Sequence, residues 1–149
     1  WWSTVNSMRN YIKENNFKNI DFIYNNAYEF ENKVIVGTRG WSFGEDDESK
    51  KMIQREVARL ELSIKNGLEN YGENKEIIAF LHYPPIINQN IQNNEMNEFI
   101  RMLKKYDIKR CYYGHLHSIA IKEAVEGEYF GIHFKLVSAD ALDFKLVKV

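Results

Sequence analysis

The stretch EIIAFLHYPP, residues 76–85, determines where the rest of the chain can pack. Its apolar run leaves no polar face for solvent, which is typical of a strand buried in the interior of a sheet. Pro84 and Pro85 end the strand, because proline cannot donate a hydrogen bond to a neighbouring strand. The stretch therefore predicts a central strand over residues 76–82, with His82 at its end.

A second buried strand, KRCYYG at residues 109–114, is predicted later in the chain. Between the two strands, residues 95–105 carry apolar side chains at helical spacing, with Asn93 or Asn94 as the N-cap. Neighbouring strands of such a sheet deliver their C-terminal ends to one edge, which is where open α/β sheets bind ligands. We therefore expect the residues that follow the two strands to lie close together.

The elements around this core follow from periodicity and from capping residues. Ser3 or Thr4 can cap a first helix, and Gly72 ends a long one. The patterns predict helices over residues 3–15 and 47–71, and strands over residues 20–24, 27–31, 33–38, 119–125, 129–138 and 143–149. The fold class is therefore α/β or α+β: one layered domain over residues 1–149, with a mixed sheet, flanking helices and an antiparallel end.

Composition narrows the classes of function. The chain has 149 residues, 44% hydrophobic, with a net charge of −1, which argues against non-specific binding to nucleic acid or to a membrane surface. No apolar run reaches the roughly 18 residues that a membrane span needs. The single cysteine, Cys111, excludes an internal disulfide and a four-cysteine zinc site. A cytoplasmic location is expected.

Three histidines carry the chemistry that the sequence suggests. His82 follows one predicted strand, and His115 and His117 follow the other in the motif GHLH. Neutral imidazole is the commonest metal ligand near neutral pH, and a His-x-His pair can straddle two metal ions about 3.5–4 Å apart. Gly114 is expected to allow the sharp turn before the pair. Alternatively, each histidine is a hydrogen-bonded surface residue.

The motifs FLHYPP (80–85) and GHLH (114–117), with GTRGWSF (37–43) and VSADALDFK (137–145), resemble those of the calcineurin-like metallophosphoesterase superfamily. The resemblance covers essentially the whole chain. It implies the C-terminal portion of an α/β/β/α sandwich that hydrolyses phosphoesters with two divalent metal ions. Mn, Fe and Zn all suit such a site. It also implies that His82 and His115 bind one metal and His117 the other.

The sequence departs from this family in its first half. The family's blocks D-x-H, G-D-x-x-D and G-N-H-(D/E), which supply the bridging aspartate and further ligands, do not occur. The chain opens WWSTVN without a methionine, so we expect a piece of a longer protein, cut after the third block. Three neutral imidazoles cannot neutralise two adjacent dications, so little or no activity is expected from this chain alone.

The remaining polar residues receive weaker interpretations. Arg39, after a strand, is a possible phosphate contact through a bidentate guanidinium, or else a surface ion pair. The acidic run at residues 45–48 is expected to stabilise a helix N-terminus. The residues expected to be structural are Tyr83, Cys111, His133, Asp140 and Asp143.

Two other functions stay open at this point. In one, the three histidines bind a single Zn²⁺ in a non-catalytic module. In the other, an exposed inner face of the sheet associates with a second copy of the chain.

Overall fold

The computed structural model describes residues 4–44 and 46–149. Its elements are α1 (Val5–Glu14), β1 (Tyr28–Phe30), β2 (Lys33–Thr38), α2 (Asp47–Tyr71), β3 (Glu76–Leu81), α3 (Asn88–Gln92), α4 (Glu98–Lys105), β4 (Arg110–Tyr113), a 3₁₀-helix (Ser118–Glu123), β5 (Gly127–Tyr129) and β6 (Ile132–Leu136). The strands form one mixed sheet in the order β1-β2-β3-β4-β6-β5. The inner four strands are parallel, and β1 and β5 add antiparallel edges. The predicted α/β class is confirmed.

Helices α2 and α4 cover one face of the sheet. The alternating residues Val34 and Val36 of β2 point to this face, and Gly67 of α2 lies so close that an added Cβ would be 2.6 Å from the Val34 side chain. The largest buried side chains of this layer are Leu60 and Ile64 of α2, Phe99, Ile100 and Leu103 of α4, and Tyr113, Phe134 and Leu136 of the strands. Burial of these side chains, at roughly 25 cal/mol per Å² of apolar surface, holds the layers together.

The opposite face of the sheet carries Phe80 and Tyr112, which are cross-strand neighbours. Their rings stack with centroids 5.1 Å apart and planes 18° from parallel. Phe80 is only partly buried, whereas Tyr112 is 4% exposed. Association of two copies through this face stays a prediction.

The predicted long helix and central strands are confirmed, and local signals explain the accuracy. Asp46 caps α2 by accepting a hydrogen bond from the Ser49 amide at 2.8 Å, as expected for the acidic run. Gly72, at φ +83°, ends the same helix. Thr4 caps α1, so that helix starts at Val5. The predictions on Trp1, Trp2, Ser3 and Glu45 lie outside the described residues.

Several boundary predictions are wrong. Residues 20–24 form no strand, because Asp21 and Asn26 accept hydrogen bonds from nearby backbone amides in place of a sheet ladder. The second predicted helix starts at Glu98 with Asn97 as its cap, after the unpredicted short α3. Asn97 also donates to the Pro85 carbonyl at 2.9 Å, which ties the loop after β3 to α4.

The predictions for the tail are also partly wrong. Residues 119–125 contain a 3₁₀-helix in place of a strand, and residues 143–149 pair with no strand. A turn at residues 139–144 lifts the chain off the sheet, with the Phe144 amide donating to the Ala139 carbonyl at 2.8 Å. None of the helices in the described part of the chain is long and apolar enough to cross a membrane.

A surface cluster links α2 to the end of α4. Glu61 accepts hydrogen bonds from Lys105 at 2.6 Å and from Tyr106 at 2.8 Å. The hydrogen bond from Lys105, and next in size the one from Tyr106, lowers the pKa of Glu61 from 4.5 to about 2. The stabilisation of the fold by the ionised Glu61 carboxylate is therefore complete above pH 4.5 and is lost as the pH falls towards 2.

We expect Glu61→Gln to lower the unfolding temperature at pH 7, and by progressively less as the pH falls from 4.5 to 2. The reason is that acid removes the same charge from the native protein that the substitution removes. Thermal unfolding across this range checks the prediction, with Glu69→Gln on the exposed side of α2 as the control. A deficit that does not vary with pH would contradict it.

Candidate metal centre

The C-terminal ends of β2, β3 and β4 lie level with one another. Thr38 pairs with Leu81, and Leu81 pairs with Tyr113, so the next residue of each strand begins at the same edge of the sheet. Backbone bonds continue past the strand ends, since the Tyr83 amide donates to the Arg39 carbonyl at 2.8 Å. The predicted convergence of two strand-end segments at one edge is therefore confirmed.

His82 and His115 meet at this edge. His82 Nε2 and His115 Nδ1 are 3.1 Å apart, which makes them hydrogen-bond partners with one ring as donor and the other as acceptor. Two nitrogens bound at about 2.0–2.1 Å to one metal ion, in tetrahedral or octahedral geometry, lie about 2.8–3.4 Å apart. The two rings are therefore spaced as two ligands of a single cation would be.

The loop that carries His115 and His117 is bent at unexpected positions. His115 has φ +71° and Ser118 has φ +52°, whereas Gly114 does not have a positive φ. The expectation that Gly114 makes the turn is wrong. Positive φ at two non-glycine residues costs of order 1–3 kcal/mol each, so surrounding contacts must hold this loop.

His117 has a different hydrogen-bond partner from the other two histidines. Its Nδ1 is 2.7 Å from Asp140 Oδ1, and Asp140 Oδ2 accepts a hydrogen bond from the Ser118 amide at 2.8 Å. Among residues 4–44 and 46–149, no group of three or more histidine, cysteine, aspartate or glutamate side chains is placed to hold a metal. The described chain thus supplies a His82–His115 pair and a separate His117–Asp140 pair.

Electrostatics favours neutral imidazole at His82. Partial burial, and next the proximity of His115, lower the pKa of His82 from its usual 6.5. His82 is therefore deprotonated at pH 7, as a metal ligand must be. At the second pair, the Ser118 amide and then His117 lower the pKa of Asp140, which keeps that carboxylate ionised.

A row of packed side chains runs from Arg39 through Trp41 and Tyr83 to His115. The Arg39 guanidinium lies 4.5 Å from the centre of the Trp41 ring, and Trp41 lies 5.8 Å from the Tyr83 ring. Tyr83 in turn lies 4.0 Å from the His115 ring, measured between centroids. Gly40 has φ +69°, a conformation that favours glycine, and an added Cβ would make a tight contact of 3.3 Å with the Tyr83 Cβ. Tyr83, predicted to be a packing residue, therefore packs directly on a candidate ligand.

A cavity of about 640 Å³ adjoins the same edge. Among its lining residues are Phe22, Tyr24, Phe80, Arg39 and His82. A volume in the range of about 300–1,000 Å³, lined by aromatic and a few polar groups, suits a small organic ligand. This cavity was not predicted, because residues 20–24 were interpreted as a strand.

The glutamate beside this cavity has a structural explanation. Glu56 is fully buried and accepts hydrogen bonds from Thr38 Oγ1 and from Arg59, each at 2.6 Å. Both of its oxygens are therefore occupied. Glu56 therefore links α2 to β2.

The remaining predictions concern residues that were expected to be structural. Cys111 is fully buried, and burial raises the pKa of its thiol, as expected for an inert core cysteine. His133 is an exposed residue of β6, and Asp143 pairs with Lys145 at 3.6 Å, as expected for structural residues. The residue that sequence reasoning missed is Asp140, although VSADALDFK had already drawn attention to its segment.

No family model, curated protein or solved structure matches this chain.

Proposed function

We propose that this chain provides histidine ligands to the metal centre of a metal-dependent phosphohydrolase, a hydrolase of phosphoester bonds. The observation that carries the proposal is the 3.1 Å separation of His82 Nε2 and His115 Nδ1 at the ligand-binding edge of the sheet. Such a pair can hold one divalent ion, and His117 is available for a second. The resemblance of the two histidine motifs to those of calcineurin-like metallophosphoesterases adds support.

The roles of the other residues follow from their positions. A divalent ion at such a site would supply Lewis-acid activation of a phosphoryl oxygen and of a water molecule. Arg39 begins the loop after β2 at the same edge, where a guanidinium can bind phosphate oxygens in a bidentate manner. Stacking on Trp41 would hold that guanidinium in place.

The cavity beside His82 indicates which substituent the phosphoester carries. Phe22, Tyr24 and Phe80 line it and favour an apolar or aromatic group, and charged residues, among them Asp21 and Arg59, line it as well. Arg39 and His82 line the same cavity, so the phosphate of such a ligand would lie beside these two residues. We therefore propose an ester with an apolar or aromatic alcohol as the substrate.

The three-histidine zinc module is the less favoured function. It needs His82, His115 and His117 around one ion, but His117 Nδ1 is bonded to Asp140, and the described residues contain no group of three ligands. The His82–His115 pair alone is better explained as part of a larger set of ligands.

The proposal is tested by titrating Zn²⁺ into chain labelled with ¹⁵N in its histidines, without and with phenylphosphonate or methylphosphonate. We expect His82 and His115 to respond at the same zinc concentration, and phosphonate to lower that concentration because ligands that bind together stabilise each other. Phenylphosphonate should act more strongly than methylphosphonate if the cavity accepts the ring. Hydrolysis of p-nitrophenyl phosphate by the chain alone should be slight, since no carboxylate in the described chain joins the histidine pair.

Arg39→Ala should remove the effect of phosphonate while leaving zinc binding intact. The matched control is Arg101→Ala, which removes an exposed arginine of α4. The proposed function would be contradicted if zinc left the His82 and His115 signals unchanged. It would also be contradicted if phosphonate did not change the zinc concentration at which they respond. Rapid metal-dependent hydrolysis would contradict the expectation that the ligand set is incomplete.

A further inference from the structure

The contacts of Asp140 constrain the proton of His117. A carboxylate can only accept hydrogen bonds, so Nδ1 of His117, 2.7 Å from Asp140 Oδ1, must carry the hydrogen. The lone pair of the neutral ring then lies on Nε2, on the far side of the imidazole. A ring held in this way is ready to bind a cation through Nε2.

The carboxylate is itself held on both sides by backbone. The Ser118 amide donates to Oδ2 at 2.8 Å, and the Ala141 amide donates to Oδ1 at 3.1 Å. Asp140 therefore joins the loop after β4 to the turn that follows β6. The same contacts help to explain how Ser118 keeps its positive φ of +52°.

We propose that Asp140 is a positioning residue, which holds His117 as the Nδ1–H tautomer and leaves Nε2 free to bind a divalent cation. The inference rests on the proposed function for its metal, but its effect on the tautomer is a property of the metal-free chain. Carboxylates that accept from a metal-binding histidine fix its tautomer and orientation, and their loss typically lowers metal affinity about 10–100-fold. Asp140 and His117 have the geometry of such a pair.

Asp140→Ala is the decisive substitution because it removes the acceptor of the His117 hydrogen without adding a donor. Without the carboxylate the contact that holds the hydrogen on Nδ1 is lost, so the neutral ring can carry it on Nε2. Asp140→Asn is less informative, because its amide oxygen can take the place of Oδ1 and still accept from both His117 Nδ1 and the Ala141 amide.

The matched control is Asp143→Ala. Asp143 belongs to the same turn and has the same charge, but it pairs with Lys145 at 3.6 Å. Thermal unfolding of both variants shows whether either one fails to fold. Asp140→Leu serves as a second variant, since it removes the acceptor but keeps a side chain of similar size.

The experiment records ¹H–¹⁵N correlations of the histidine rings in the metal-free wild type and variants, and then during Zn²⁺ titration. We expect Nδ1–H for His117 in the wild type and in Asp143→Ala, and a shift of the hydrogen to Nε2 in Asp140→Ala and Asp140→Leu. The zinc concentration at which His117 responds should rise about 10–100-fold in Asp140→Ala. The response of His82 and His115 should not change.

An unchanged tautomer in folded Asp140→Ala and Asp140→Leu would overturn the proposal, as would a His117 zinc response that is the same in Asp140→Ala as in Asp143→Ala. These results concern His117 and its variants. Failure of the proposed function itself would be seen elsewhere, as an absence of any zinc response from His82 and His115 in the wild type.

Discussion

His82→Ala is expected to weaken Zn²⁺ binding at the His82–His115 pair by at least about 100-fold, more than the loss of an outer partner of a ligand costs. The reason is that His82 Nε2 and His115 Nδ1, 3.1 Å apart, can bind one ion together, whereas a single imidazole cannot chelate it. Isothermal titration of Zn²⁺ into both proteins measures the effect. His115→Ala should lose as much, because the two ligands act as a unit.

The matched control is His133→Ala, which removes an exposed histidine within β6. It should bind zinc as the wild type does. Zinc affinity of the wild type should fall on acidification to the lowered pKa of His82, since protonated imidazole cannot bind. A His82→Ala protein that binds zinc within a few-fold of the wild type would remove this pair as the metal site.

Gly37→Ala is expected to destabilise the fold by about 3 kcal/mol, the upper end of the usual cost of overpacking. A Cβ at Gly37 would lie 2.1 Å from the carbonyl oxygen of Phe80 on the neighbouring strand. This neighbour is backbone within a parallel pairing, so it cannot move aside as a flexible side chain can. For a chain of this size the loss corresponds to a fall of roughly 6–12 °C in unfolding temperature.

Gly114→Ala is the control for this effect. An added Cβ at Gly114 would be 3.7 Å from the His82 carbonyl oxygen, an ordinary contact, so little change in the free energy of unfolding is expected. Thermal or urea unfolding of the three proteins makes the comparison. Equal stability of Gly37→Ala and the wild type would show that β2 and β3 separate more easily than their register implies.

The accuracy of the sequence predictions followed how local each signal was. Helix α2 was predicted at its observed bounds, because its apolar stripe lies within it and its capping residues Asp46 and Gly72 directly flank it. The central strands β3 and β4 were recognised because burial on both faces gives continuous apolar runs. In the tail, the alternation of residues 143–149 resembled a strand, but no neighbouring strand pairs with it and Leu146 is fully exposed.

The accuracy of the predictions for the site also followed how local each signal was. His82 and His115 were predicted together, because each follows a buried strand and the ends of parallel strands share an edge. The contact of His117 with Asp140 was not predicted, because 23 residues separate them and Asp140 was interpreted as a turn residue. The packing of Tyr83 was predicted, but its partner was not, since contact with the His115 ring has no signature in the sequence.

The sequence by itself therefore determined the class of fold, the central strands and the edge at which the histidines gather. These features depend on burial and hydrogen bonding within short segments, which leave periodic patterns. Only the tertiary structure decided which histidines face each other and which one faces a carboxylate. That outcome depends on the positive φ of His115 and Ser118 and on the turn that returns Asp140 to the loop. Such long-range contacts leave no periodic pattern in the sequence, because they are set by how distant segments pack.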